Sequence, residues 1–299
     1  MAHNNHVIDG INMDLNGMTK ESYIKMIEEF GADDIFPPSE IIPTMIDNRQ
    51  INVISDHNLA GSKTRFGQWL FRSIEQDTVV YVQPRKGLAG VSILDLAEKF
   101  NKRVVLFMPS SKTISDHQAV CIERGAIPVF HRIAAMPNLN KLAKEWADAN
   151  DAFFIPLGLK HPLVTAGAVY TASKIFDKAN PEEVWSVVST GVLTRALQIA
   201  APHARFHAVA VARNMKAGEL GIANVESHPF DFNRSEASEH LPDFPTVNNY
   251  DAKAWRYITK YASDNAYFWN VGQSPILKDT TLYERIDSQR DWGEVRNDI

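Results

Sequence analysis

A chain of 299 residues, 44% of them apolar, can bury a large core, either as two domains or as one large α/β unit. Its formal net charge of −5 excludes the broad basic surface of a dedicated nucleic-acid binder, leaving room only for a local basic groove. The single cysteine, Cys121, excludes an intrachain disulfide and a cysteine-rich zinc site, and between Val120 and Ile122 it reads as a buried structural thiol. No apolar run approaches the roughly 20 residues that cross a bilayer. The opening Met1-Ala2-His3-Asn4-Asn5-His6 has no basic region followed by an apolar core, so a cytoplasmic protein is expected.

In chain order, the first feature is Ser55-Asp56-His57-Asn58-Leu59-Ala60-Gly61-Ser62-Lys63-Thr64-Arg65-Phe66-Gly67, a glycine-containing turn leading into the apolar Trp69, Leu70 and Phe71. Lys63 therefore opens a helix. Residues 78–82 read as a strand, followed by Gly87, Gly90 and a helix whose apolar positions Ile93, Leu96, Ala97 and Phe100 follow helical spacing. Residues 103–108 are too apolar and β-branched for a solvent-facing strand, which completes a β-α-β unit. A helix over about 114–124, a stop at Gly125-Ala126, a strand at 127–130 and a helix through Leu139, Leu142, Ala143 and Trp146 continue the alternation. A second round has a helix over about 163–178, a strand at 184–188, a turn at Gly191, a helix to about 200 and a strand at 206–212. Such alternation implies parallel sheets covered by helices, with right-handed crossovers, and the length suits two of them. Residues 224–249 are polar and contain proline, as expected of a long loop or a segment over an active site. The stretch from Glu284 is charged and expected to be peripheral.

Two places carry chemistry. Lys63 is by default a solvated first-turn lysine, but a cation is disfavoured at a helix N-terminus, and a Schiff-base role would explain it because an aldehyde cofactor removes the charge. The local pattern alone favours the solvated reading. Ser189-Thr190-Gly191-Val192-Leu193-Thr194 follows an apolar strand and precedes a helix, where free backbone N–H groups, hydroxyls and a glycine can hold a phosphate. An ordinary strand-to-helix turn with a serine or threonine cap explains the same residues. The ten histidines show no H-E-x-x-H or paired ligand spacing, so no metal site is expected, and there is no G-x-S-x-G elbow.

Taken in order, these segments resemble the pyridoxal-phosphate (PLP) enzymes of fold type II, the tryptophan-synthase-β-like fold, and within them the branch of D-cysteine desulfhydrase and ACC deaminase. The likeness covers roughly residues 58–213. Gly61-Ser62-Lys63-Thr64-Arg65 resembles that branch's Gly-Asn-Lys-x-Arg motif, with serine in place of asparagine. Gly90 through Met108-Pro109, the Gly125-Ala126 pair and Leu157-Gly158-Leu159-Lys160-His161-Pro162-Leu163 are similar to further segments of the family.

The resemblance implies two three-layer αβα domains with mostly parallel sheets and the cofactor in the cleft between them. A large PLP-binding domain would take residues 1–65 and 163–299, and a smaller inserted α/β domain 66–162. It gives Lys63 the Schiff-base role, Ser189, Thr190, Gly191, Val192, Leu193 and Thr194 the cofactor's phosphate, and Ser274 the pyridine nitrogen, with Asn270 as second choice. A homodimer is implied as well. Where the family has Ser-Gly-Asn-His-Gly, this chain has Lys86-Gly87-Leu88-Ala89-Gly90, so the asparagine that bonds the cofactor's ring oxygen becomes Leu88 and the histidine Ala89. That loop normally grips the substrate carboxylate, so Arg85, Lys86, Gly87 and Leu88 are expected to meet a different anion.

Proteins of this fold encoded by bacterial viruses that hypermodify thymine resemble decarboxylases acting on an amino acid attached to the base, and that setting suits these departures. The expectation is a PLP-dependent lyase that breaks a bond at the α-carbon of an amino-acid-like substrate, by decarboxylation of an aminoacyl-modified thymine nucleotide. DNA would carry the substrate, the location would be the host cytoplasm, and Trp269 or Phe268 would stack a base. Deamination or desulfhydration of a small free amino acid is the alternative. A binding protein that has lost its chemistry is another.

Overall fold

The computed structural model describes residues 18–31, 33–132, 135–215, 220–229 and 231–283. The opening hexapeptide and the charged stretch from Glu284 lie outside them. The elements in chain order are α1 (Lys20–Glu29), β1 (Glu40–Ile46), β2 (Arg49–Ser55), α2 (Ser62–Ser73), β3 (Thr78–Val82), α3 (Ala89–Lys99), β4 (Arg103–Pro109), α4 (Asp116–Glu123) and β5 (Ile127–His131). They continue with α5 (Met136–Ala149), β6 (Phe153–Phe154), α6 (Pro162–Ala179), β7 (Glu183–Val188), α7 (Val192–Ala200), β8 (Arg205–Ala210), β9 (Asn224–Ser227), α8 (Ala252–Tyr261) and β10 (Ala266–Asn270). The chain divides into two compact units, one taking residues up to Trp69 and His161–Gln273, the other Leu70–Lys160 and the described residues from Ser274 on.

The first unit holds a six-stranded sheet ordered β1-β2-β10-β7-β8-β9. Only β1 and β2 pair antiparallel, as a hairpin, and every other pairing is parallel. Its central strands are apolar on both faces because both are covered, and β7 is buried at all of its residues. One face packs Ile51, Val53, Trp185, Val187, Val209 and Phe268 against Ala254, Trp255 and Ile258 of α8. On the other, Trp269 meets Phe66 of α2 and Phe176 of α6. This is the expected three-layer αβα arrangement. The α2–α6 contact is tight: a Cβ on Gly167 would stand 2.6 Å from the Phe66 carbonyl oxygen and 2.6 Å from Trp69 Cε3, so glycine lets α6 seat the helix that carries Lys63. At the edge, β1 alternates in exposure and carries Pro43, as edge strands tolerate.

The second unit has an all-parallel sheet ordered β5-β4-β3-β6. Val80, Val82, Val105, Phe107 and Val129 face Leu139, Ala143 and Ala147 of α5, while α3 packs on β4 and on α4. Cys121 is buried there, and burial pushes its thiol up to about 12, so it is a packed thiol rather than a nucleophile. The described residues from Ser274 on group with this unit. Within it, the Lys278 and Asp279 amides donate to Glu123 Oε1 at 3.0 and 2.6 Å, and Tyr283 Oη donates to Asp116 Oδ1 at 2.7 Å. The expected loop over 224–249 opens as strand β9 on the sheet edge and contains a short 3-10 turn at Ser238–His240. No described helix is long and apolar enough to cross a membrane.

Candidate active site

Lys63 is the second residue of α2, reached from the C-terminal end of β2 through a turn in which Gly61 takes φ +131°, a left-handed conformation that suits glycine. The Asp56 amide donates to Asn270 O and the Ser62 amide to Val271 O, tying the turn to β10. Beneath it lies a buried polar cluster. Asp56 accepts from Ser62 Oγ at 2.5 Å, from Ser39 Oγ at 2.7 Å and from Arg65 Nε and Nη2 at 3.1 Å each. Arg65 also reaches Asp34 Oδ2 at 3.0 Å and Pro37 O at 2.5 Å, and Trp269 Nε1 donates to Ser62 Oγ at 3.0 Å. The serine and arginine that flank Lys63 are therefore scaffolding that fixes the start of its helix. Arg65→Ala leaves Asp56 buried without its cation and is expected to destabilise the protein by about 3–5 kcal/mol. A lowered urea midpoint at unchanged slope would show this, and a loss under about 1 kcal/mol would mean the pair is not what holds the turn.

Lys63 is partly buried, and desolvation lowers its amine from the ordinary lysine value while the charge of Asp251 pulls it back up. Asp251, fully buried, immediately precedes α8. It stands where a helix cap would, yet its side chain makes no capping bond, and neither carboxylate oxygen has a hydrogen-bond partner of normal geometry. Burial raises this carboxyl well above the usual carboxylate range, and the Val271 amide and the Lys63 charge offset only part of that. A buried carboxyl without a well-formed hydrogen bond, coupled electrostatically to a desolvated amine, is the kind of perturbed pair that functional sites are built from. Asp251 was not anticipated from the sequence, where its one local signal is that of an ordinary N-cap before an apolar helix.

Next to Asp251, the Tyr250 hydroxyl donates to Val187 O at 3.1 Å, near the end of β7, and burial pushes its phenol up. From there Ser189 and Thr190, both half-buried, lead into Gly191, which takes φ +82° as the residue before α7. Strand, turn and helix start are thus arranged as an anion site requires. Val192 is buried and Leu193 half-buried, so each offers an anion only its backbone amide. Thr194 is different: its hydroxyl is buried against Ser186 Oγ at 2.9 Å, a structural bond.

The expected partners of a pyridine nitrogen fare differently. Asn270 is consumed, its amide donating to Ser55 Oγ at 2.9 Å and Pro245 O at 2.8 Å while its carbonyl accepts from Thr246 Oγ1 at 3.0 Å. Ser274 is half-buried and belongs to the unit that does not contain Lys63. Phe268 and Trp269, expected to stack a base, are instead fully buried core side chains, since β10 is a central strand.

In the second unit, Arg85 Nη1 donates to Thr113 O at 3.0 Å, Ser115 Oγ bonds Arg85 O, and Lys86 Nζ lies 3.7 Å from Asp116 Oδ2. Gly87 takes φ +123°, and Leu88 precedes α3 with no side-chain cap. The loop is braced from within by fully buried Gln83, which accepts from the Gly90 amide at 2.9 Å and donates to Pro84 O at 2.9 Å and Gly87 O at 3.1 Å. Gln83 too went unread in the sequence, where a glutamine closing a strand carries no signal of its own.

This architecture is that of the fold-type II pyridoxal-phosphate enzymes. Neither a family model nor a curated protein sequence matches the chain. Among solved structures, an ACC deaminase homologue is similar with a TM-score of 0.67 at 15% identity, over 84% of this chain and 94% of that one. A pyridoxal 5'-phosphate-dependent aspartate racemase is similar with a TM-score of 0.66 at 12% identity, over 87% and 97%. The processed form of threonine deaminase isoform 2 from Solanum lycopersicum is similar with a TM-score of 0.64 at 12% identity, over 91% and 89%.

Proposed function

We propose that this chain is a PLP-dependent lyase acting at the α-carbon of an amino-acid-like substrate. The observation that carries the reading is that the fully buried, unbonded carboxyl of Asp251 and the desolvated, partly buried amine of Lys63 act on each other electrostatically. The residues fit the cofactor. Two buried carboxylate oxygens without partners suit a protonated pyridine nitrogen, which would give Asp251 the role expected of Ser274. A desolvated amine suits an aldehyde, and the turn at Ser189, Thr190 and Gly191, with the amides of Val192 and Leu193, suits a phosphate.

When bound, the cofactor supplies a conjugated electron sink for the electrons released as a bond at the α-carbon breaks. The protein's residues do the rest. Lys63, uncharged more readily than an ordinary lysine, is the nucleophile that holds the aldehyde and the group that moves a proton at the α-carbon. Asp251 would hold a proton at the ring nitrogen and so strengthen the sink, and Arg65 with Asp56 keeps the lysine's helix in place.

The finer reading is decarboxylation of an amino acid carried on a thymine nucleotide. Carbon dioxide leaves with the bond broken at the α-carbon, and Lys63 delivers the proton that replaces it. Two observations support a substrate other than a small free amino acid. Leu88 and Ala89 stand where a carboxylate-gripping loop would have polar side chains, and Gln83 already occupies the Gly90 amide. Deamination is the second reading, favoured by the likeness to an ACC deaminase homologue. Incubating the PLP-loaded protein with aminoacyl-thymidine nucleotides and with free amino acids separates them. Carbon dioxide without ammonia is the expected result, ammonia would select deamination, and release of neither would overturn the lyase reading.

A further inference from the structure

We propose that Arg195 supplies the positive charge at the phosphate end of this site, an inference that rests on the PLP reading above. A phosphate monoester brings about two negative charges. The turn that would receive it has only one glycine, and one of its hydroxyls, that of Thr194, is turned to Ser186. Arg195 is the sole lysine or arginine in residues 179–204. It lies one turn into α7, and its backbone amide bonds Gly191 O at 3.0 Å. Side chains on a helix lean toward its N-terminus, and this one does so fully: Nη1 sits 2.8 Å from where a Cβ on Gly191 would stand. Gly191 is favoured by its left-handed backbone, and the guanidinium lies directly against it.

Arg195 is only 9% exposed and has further interactions within the fold. A guanidinium stays charged when buried, and its planar fork matches phosphate oxygens in a way an ammonium does not. A dianion at the turn would be favoured both by the positive end of the helix dipole and by the guanidinium beside it. Arg195 therefore stands in for the extra glycine amides that this turn lacks.

The test compares pyridoxal phosphate with pyridoxal, which lacks the phosphate, by absorbance titration and borohydride trapping at Lys63 in the wild type, Arg195→Gln and Arg195→Lys. Arg195→Gln is expected to weaken pyridoxal phosphate by about 10- to 100-fold, the loss of a charge-assisted hydrogen bond, and to leave pyridoxal unchanged. Arg195→Lys should recover part of the loss. Equal weakening of both ligands, or an unchanged preference for the phosphate, would overturn the assignment while leaving the cofactor reading intact. Wild-type protein that traps neither ligand would overturn both.

Discussion

Lys63→Ala is expected to lower turnover by about 10²–10⁴ or more, because in the proposed function one amine would both hold the cofactor and move the proton at the substrate's α-carbon. The variant should fold, since the bonds that position the start of α2 come from Ser62, Asp56 and Arg65 rather than from Lys63 itself. It also removes the positive charge that partly offsets the burial of Asp251, so that carboxyl should rise further. The pH dependence follows from the direction of the Lys63 shift. A lowered amine pKa leaves more free amine at a given pH, so cofactor capture should persist to lower pH than for a free lysine, whose value is about 10.4. Wild-type turnover retained in Lys63→Ala would mean that the chemistry lies elsewhere.

Asp251→Asn is expected to have an effect of similar size on turnover, about 10²–10⁴, because an amide cannot hold a proton on the ring nitrogen. Without the Asp251 charge, the attraction that keeps the proton on Lys63 disappears, so the rising limb of cofactor capture should move to lower pH. Stability should move the opposite way from activity. The carboxyl has no hydrogen-bond partner of normal geometry and is held above the usual range by burial, so replacing it is expected to stabilise the cofactor-free protein by about 1–3 kcal/mol. A carboxyl raised in the folded state holds its proton where the unfolded chain has lost it. Its contribution to stability therefore falls as pH rises from the unfolded value, about 3.9, through the folded one. Asp251→Asn should remove that fall. A variant less stable at neutral pH and unchanged in turnover would show Asp251 to be part of the scaffold only.

The strands that were readable from the chain are those whose burial is set by local composition. Thr78–Val82 matches the expected strand, and Glu183–Val188 begins one residue before its own, because a parallel strand covered on both faces must be apolar along its length. The hairpin of β1 and β2 gave a weaker signal, since Pro43 speaks against a strand and the alternation along 40–46 is that of an exposed edge. Ala266–Asn270 reads as a packed aromatic turn until it is paired. Its place between β2 and β7 comes from pairing such as Phe268 with Val53 and Phe268 with Trp185, far apart in the chain, which no local pattern encodes.

The site divides the same way. Lys63 and the turn at Ser189 to Gly191 sit in sequence contexts that carry their own signal, a glycine-containing turn before a helix and a hydroxyl-rich turn after a strand. Asp251 does not, because what distinguishes it is the absence of partners in three dimensions. Arg195 is likewise unremarkable as a helical arginine until its guanidinium is seen folded back on Gly191. The loop at Arg85 and Lys86 was read for its charge, but its shape depends on Gln83, whose side chain bonds the backbone on both sides of those residues.

The most direct test of the account is borohydride reduction of the purified protein after incubation with pyridoxal phosphate, followed by peptide mapping of the modified lysine. A visible absorbance band that reduction bleaches and a single phosphopyridoxyl group on Lys63 are expected. Absence of the band, or a label on another lysine, would contradict it.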